Sequence, residues 1–88
     1  MRVRVFGPGC ANCRRLEAAA REALDALAYS YELTKVETLP EIAAAGVLRT
    51  PALEIDGRVV LQGRVPGVAE LKYIFEKAAA ATGTALAP

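Results

Sequence analysis

The sequence predicts an α/β domain, a mixed four-stranded sheet flanked by helices in the order β-α-β-α-β-β-α. Three observations predict it. Val3 and Val5 alternate with Arg2 and Arg4 ahead of a Gly-Pro-Gly break, which is the two-residue period of a strand. Directly after the break, Cys13, Leu16, Ala20, Leu24 and Leu27 recur at spacings of three and four, the apolar stripe of a helix. Further on, two short apolar runs flank Asp56-Gly57, a dipeptide suited to a tight hairpin.

The elements follow in order. The first strand covers residues 2–6 and stops at Gly7-Pro8-Gly9. The first helix is expected from Ala11 to Ala28. Arg14, Glu17, Arg21, Glu22 and Asp25 take its wet side, with Glu17 and Arg21 forming a favourable i,i+4 pair. Residues 29–36 read as a second strand, with Tyr29, Tyr31 and Leu33 on one face and Lys35 at its end. Pro40 opens a short helix through Ala45, and Gly46 stops it. Pro51 begins a third strand, Ala52 to Ile55, and the hairpin returns it as a fourth, Arg58 to Gln62. After a loop from Gly63 to Gly67, the last helix runs from Val68 to Ala81, with Val68, Leu71, Ile74, Phe75 and Ala78 inward. The domain is expected to occupy residues 1–81, and residues 82–88 are expected to be a frayed tail.

The opening β-α-β requires a parallel, right-handed crossover. The hairpin makes the last two strands antiparallel. One feature resists this arrangement: Arg2 and Arg4 share a face of what should be a central strand. Either the short second helix covers that face only in part, or the arginine stems reach outward to water.

With 88 residues there is room for one small domain, and a 53% hydrophobic content supports a thin but continuous core. The net charge of +1, with acids and bases interspersed, points to no nucleic-acid surface and no basic membrane patch. The first residues already form a strand pattern, so no signal peptide is expected, and the apolar runs are too short to span a bilayer. The expected location is the cytoplasm. There a Cys-X-X-Cys pair reads as catalytic or metal-binding rather than as scaffolding.

Cys10 and Cys13 are the only cysteines, and they stand where the first strand ends and the first helix begins. At the helix start, Cys10 lies among free backbone N–H groups that stabilise a thiolate and lower its pKa. Cys13 is one turn in, on the apolar stripe, and is expected to be more buried and less acidic. That asymmetry suits two-step exchange, in which Cys10 attacks a substrate disulfide and Cys13 then attacks Cys10. Arg14 and Arg15 add positive charge just beyond the pair. A redox-inert pair is the plain alternative. A metal or cluster site is another: two thiolates do not complete a tetrahedral zinc site and the chain has no His, but they suit a soft cuprous ion or a cluster shared between two chains.

Arg49-Thr50-Pro51-Ala52 is the second feature. Proline is common as the first residue of a strand, where its missing N–H costs little. A cis Thr50–Pro51 peptide is the sharper reading, and the residues alone leave both open.

With these two features in this order, the chain resembles the thioredoxin-like superfamily, and within it the small, minimal thioredoxins sometimes called redox-active disulfide proteins. The likeness runs from Val3 to about Lys77. It rests on Gly7-Pro8-Gly9-Cys10-Ala11-Asn12-Cys13, Ala45-Gly46-Val47-Leu48-Arg49-Thr50-Pro51-Ala52-Leu53, Asp56-Gly57-Arg58-Val59-Val60 and Gly63-Arg64-Val65-Pro66. The resemblance implies a thioredoxin-like fold and a thiol–disulfide oxidoreductase that reduces protein disulfides without a cofactor. It also implies Cys10 and Cys13 as the catalytic, redox-active pair, a cis Pro51 against them, and Thr50 pairing through its backbone with an extended substrate segment. Implied partners are protein disulfides and an electron donor, either a thioredoxin reductase-like flavoprotein or glutathione.

The chain departs from thioredoxins at three points. It has Gly9 where they carry an aromatic residue before the first cysteine, and Ala11-Asn12 where they carry Gly-Pro. Residues 1–9 hold no carboxylate of the kind thioredoxins bury behind the disulfide, so a proton acceptor for Cys13 must come from elsewhere, such as water. Lys35 loosely matches a thioredoxin lysine but reads on its own as a solvated strand-end residue. Glutaredoxins are the sister possibility. Against them, Asn12 stands where they have tyrosine, and Gly63-Arg64-Val65-Pro66-Gly67 lacks their glutathione-binding carboxylate, although Arg64 could meet a carboxylate of a ligand. Two other classes stay open: a metal- or cluster-binding module using Cys10 and Cys13, and an interaction module that binds a partner beside Pro51 without exchange.

Overall fold

The computed structural model describes residues 1–82. The elements are β1 (Arg2–Phe6), α1 (Ala11–Ala26), β2 (Glu32–Val36), α2 (Leu39–Ala44), β3 (Ala52–Ile55), β4 (Arg58–Gln62) and α3 (Val68–Thr82). The strands form one sheet in the order β2-β1-β3-β4. β1 runs parallel to β2, with Arg2 beside Glu32, and antiparallel to β3, with Phe6 beside Ala52. β3 and β4 are antiparallel across Asp56-Gly57, both at positive φ (48° and 87°), as a two-residue hairpin of this type requires. The expected mixed sheet and element order are thus present. The tail expected beyond the domain lies, from residue 83 on, outside the described residues.

The two faces of the sheet are covered unequally. On one, Val3, Val5, Leu53 and Ile55 meet Leu16, Ala20 and Leu24 of α1 and Leu71 and Phe75 of α3. On the other, α2 supplies Ile42 over Phe6, Val36 and Ala52, with Val47 from the segment that follows, and this covers only one end of the sheet. The rest of that face is an open concavity of about 630 Å³ lined by Arg2, Arg4, Thr34, Glu54 and others. Partial cover by α2 is therefore how the sheet accommodates Arg2 and Arg4. Arg4 is also held directly: its Nε and Nη2 donate to the two carboxylate oxygens of Glu54 on β3, at 2.6 and 2.9 Å. The register sets Arg4 opposite Glu54, so the charge pair is a cross-strand pair. It also accounts for Glu54 being buried, at 7% exposure.

α2 (Leu39–Ala44) and the end of α3 (Thr82) lie within one residue of the sequence expectation, and two boundaries differ by more. α1 ends at Ala26, and Ala28 adopts φ 58°, so that Tyr29 N–H donates to Leu24 C=O and Ala28 N–H to Asp25 C=O. This is a Schellman closure with alanine where glycine is usual, which the sequence does not signal. β2 begins at Glu32 rather than residue 29. Among the described residues its one strand partner, β1, starts at Arg2 opposite Glu32, so Tyr29–Tyr31 have no strand there to pair with. Their rings still pack on the main core. α2 closes with the same motif, here with Gly46 at φ 78°: Val47 N–H donates to Ile42 C=O and Gly46 N–H to Ala43 C=O. That closure turns the chain into the segment leading to Thr50–Pro51. Among the described residues, no helix is long and apolar enough to cross a membrane.

Candidate active site

Cys10 is the N-cap of α1, with φ −70° and ψ 168°. Its Sγ accepts the backbone N–H of Cys13 at 3.2 Å, and its carbonyl accepts the N–H of Arg14 at 3.0 Å. The sulfur thus occupies the place a serine or aspartate oxygen takes in an ordinary cap, facing the positive end of the helix dipole. Cys10 is exposed and Cys13 is 6% exposed, the predicted asymmetry. The two are joined by a disulfide, with Cα atoms 5.0 Å apart. Arg14 also folds back, its Nη1 donating to Gly9 C=O, and so brings a cation beside the cap.

The peptide before Pro51 is cis. The β1–β3 register ends with Phe6 opposite Ala52, the residue after Pro51, so the segments carrying the cysteines and the cis peptide reach the same end of the sheet. A Cβ placed on Gly7 would run into Cys13 Sγ and stand 3.9 Å from Thr50 Cβ. Gly7 is therefore the thin partition between the Cys13 sulfur and Thr50, and no larger residue fits there without displacement. Thr50 is exposed and Pro51 is buried. The four residues named from the sequence thus come together at one end of the sheet.

Sequence reasoning missed the setting of Cys13. A small cavity of about 120 Å³ borders it, lined also by Val5, Gly9, Glu17, Lys35 and Glu37. Glu17 lies one turn beyond Cys13 on the same helix face, a spacing that could have been read from the sequence. Its carboxylate meets Arg21 at 3.3 Å and Lys35 at 3.6 Å. Carboxylates therefore do border the cavity beside Cys13, from α1 and the end of β2 rather than from β1, and Lys35 is an exposed strand-end residue, as expected, that also reaches Glu17. Arg64 is committed as well: its Nη1 and Nη2 donate to Glu70 at 3.1 and 2.6 Å, which holds the Glu70 carboxyl below its ordinary range. Among the described residues, no three His, Cys, Asp or Glu side chains form a metal-ligand group.

An exposed sulfur capping a helix, a buried partner one turn on, and Thr50 of a cis Thr50–Pro51 peptide across Gly7 from that partner, all at one end of a β2-β1-β3-β4 sheet, define a dithiol/disulfide exchange protein. Comparison with known proteins places it further. A family model described as "Thioredoxin domain" matches residues 1–76, and the chain belongs to that family. It is 39% identical over 75 residues to a thioredoxin of Methanothermobacter thermautotrophicus, covering 85% of this chain and 97% of that one. It is 34% identical over 70 residues to a thioredoxin of Methanocaldococcus jannaschii, covering 80% of each. The chain is a thiol–disulfide oxidoreductase with a thioredoxin fold and a redox-active Cys-X-X-Cys disulfide.

Proposed function

We propose that the protein reduces disulfides of other proteins, with Cys10 as nucleophile, Cys13 as resolving thiol, and Thr50 with Pro51 as the substrate-binding element. The observation that carries the assignment of roles is the difference in exposure: a substrate sulfur can reach the capping Cys10 but not the buried Cys13. In the first step the Cys10 thiolate attacks one substrate sulfur. The substrate S–S bond breaks, a mixed disulfide forms, and the departing thiolate takes a proton from water. In the second, Cys13 loses its proton and attacks Cys10 Sγ, which expels the second substrate thiolate and leaves the Cys10–Cys13 disulfide. Two electrons pass to the substrate. An external dithiol or thiol, from a flavoprotein disulfide reductase or from glutathione, returns them. Arg64 is paired with Glu70 at the surface, so a glutathione carboxylate would have to displace that exposed, weak ion pair to use it. A dithiol kept in this cycle belongs in a reducing compartment, which is the reading for cytoplasm.

The test is trapping. Cys13→Ser protein incubated with a disulfide-bonded protein substrate should accumulate a covalent adduct at Cys10, seen by mass spectrometry and released by dithiothreitol. Cys10→Ser should form none and should lose turnover. Full disulfide-reducing activity in Cys10→Ser would refute these roles.

A further inference from the structure

Thr50–Pro51 sits at the end of an irregular segment, and its backbone geometry must be held by something other than a helix or strand. After the α2 closure at Gly46 and Val47, the chain passes through Leu48 and Arg49 with no ladder partner for either N–H. Both are taken by one side-chain atom: Gln62 Oε1, at the end of β4, accepts Leu48 N–H at 2.8 Å and Arg49 N–H at 3.1 Å. The next residue of the same strand end completes the attachment, since Gly63 N–H donates to Pro51 C=O at 2.8 Å. The Arg49 side chain lies across Gly63, with Cδ 3.2 Å from where a Cβ on that glycine would stand. Thr50 is thus suspended between two anchors at the end of β4, the Gln62 side chain and the backbone of Gly63 just beyond it. Leu48 is left pointing into solvent at 89% exposure.

We propose that Gln62 is a positioning residue for substrate recognition. By accepting both N–H groups it fixes the backbone before Pro51 as a preformed edge, on which an extended polypeptide segment flanking the target disulfide can pair. This rests on the substrate-binding role given above to Thr50 and Pro51. A preformed edge spares the substrate the cost of ordering the loop, so the benefit is confined to substrates that use the edge. A small aromatic disulfide that touches only Cys10 gains nothing from it. Glutamate at residue 62 keeps an oxygen in the acceptor position, whereas leucine keeps the size and removes the acceptor.

The experiment compares Gln62→Leu, Gln62→Glu and the unaltered protein on two substrates, a peptide carrying a disulfide within an extended segment and the small disulfide dithiobis(nitrobenzoate). Gln62→Leu should raise KM for the peptide about thirtyfold, the size of two lost neutral hydrogen bonds. Its rate with the small disulfide, and the pH midpoint of Cys10 alkylation, should be unchanged. Gln62→Glu should stay within about twofold of the unaltered protein on both substrates, because its carboxylate can still accept both N–H groups. An unchanged peptide KM in Gln62→Leu, or an equal loss on both substrates, would overturn the inference while leaving exchange through Cys10 intact. Peptide reduction by a Cys10→Ser control at the unaltered rate would instead bring down the exchange reading itself, and this inference with it.

Discussion

At residue 7 the space for a side chain is already occupied by the sulfur and Cβ of Cys13. Gly7 has an ordinary backbone conformation, so the demand on it is purely for room. Gly7→Ala is expected to destabilise the oxidised protein by about 1–3 kcal/mol, the cost of forcing one methyl group into a packed site. Urea denaturation of the oxidised forms measures this, and coincident midpoints would refute the close packing described. The same scale shows what a residue-by-residue reading of the sequence can see. Cys10 and Cys13 announce themselves by spacing, and Glu17 could have been found by its i,i+4 relation to Cys13. Gln62 carries no such signal. It is a polar residue at the end of an edge strand, and its two acceptor contacts depend on a loop that closes from 13 and 14 residues away.

At the scale of elements, stripe and alternation place β1, β2, α1 and α3, whereas α2 is marked by Pro40 and Gly46 and the β3–β4 pair by Pro51 and the Asp56-Gly57 hairpin; β3, buried on both faces, has no alternation to read. The boundaries were less legible where a terminus depends on backbone conformation or on a neighbour. α1 overran in the sequence reading because alanine is the best helix former and nothing at Ala28 marks a stop. Yet Ala28 sits at φ 58° and closes the helix through Leu24 and Asp25. Replacing Ala28 with glycine should relieve a left-handed alanine and stabilise the protein by on the order of 1 kcal/mol, the left-handed penalty less the added freedom of the unfolded chain. Thermal or urea unfolding reads it directly, and a loss of stability in Ala28→Gly would contradict the closure described. β2 was overextended for a different reason: a strand lasts only as long as its partner, and the start of β1 is not visible from β2's own residues.

At the scale of the whole molecule, the sheet works as a frame that brings two distant stretches to one end. β1 leads to the helix-capping sulfur, and its antiparallel neighbour β3 begins directly after the cis-proline, so one strand pair brings Thr50 and the Cys13 sulfur to either side of Gly7. The overall order and the mixed sheet were legible from the hairpin and the opening β-α-β. The unequal cover of the two faces was foreshadowed only by two awkward arginines. Arg2 proved to border an open concavity, and Arg4 to face a buried Glu54 across the strands. The consequence for function is a sulfur held at the positive end of a 16-residue helix, beside Arg14, with its partner thiol buried. Both the helix end and the cation favour the charged form of Cys10, so its pKa in the reduced protein is expected below the ordinary thiol value of about 8.5. The most direct test is the pH dependence of alkylation of the reduced, metal-free protein, resolved by residue with mass spectrometry. The account predicts that Cys10 is modified first, with a midpoint clearly below about 8.5, while Cys13 is largely spared. Equal, slow modification of both cysteines with a midpoint at or above that value would contradict it.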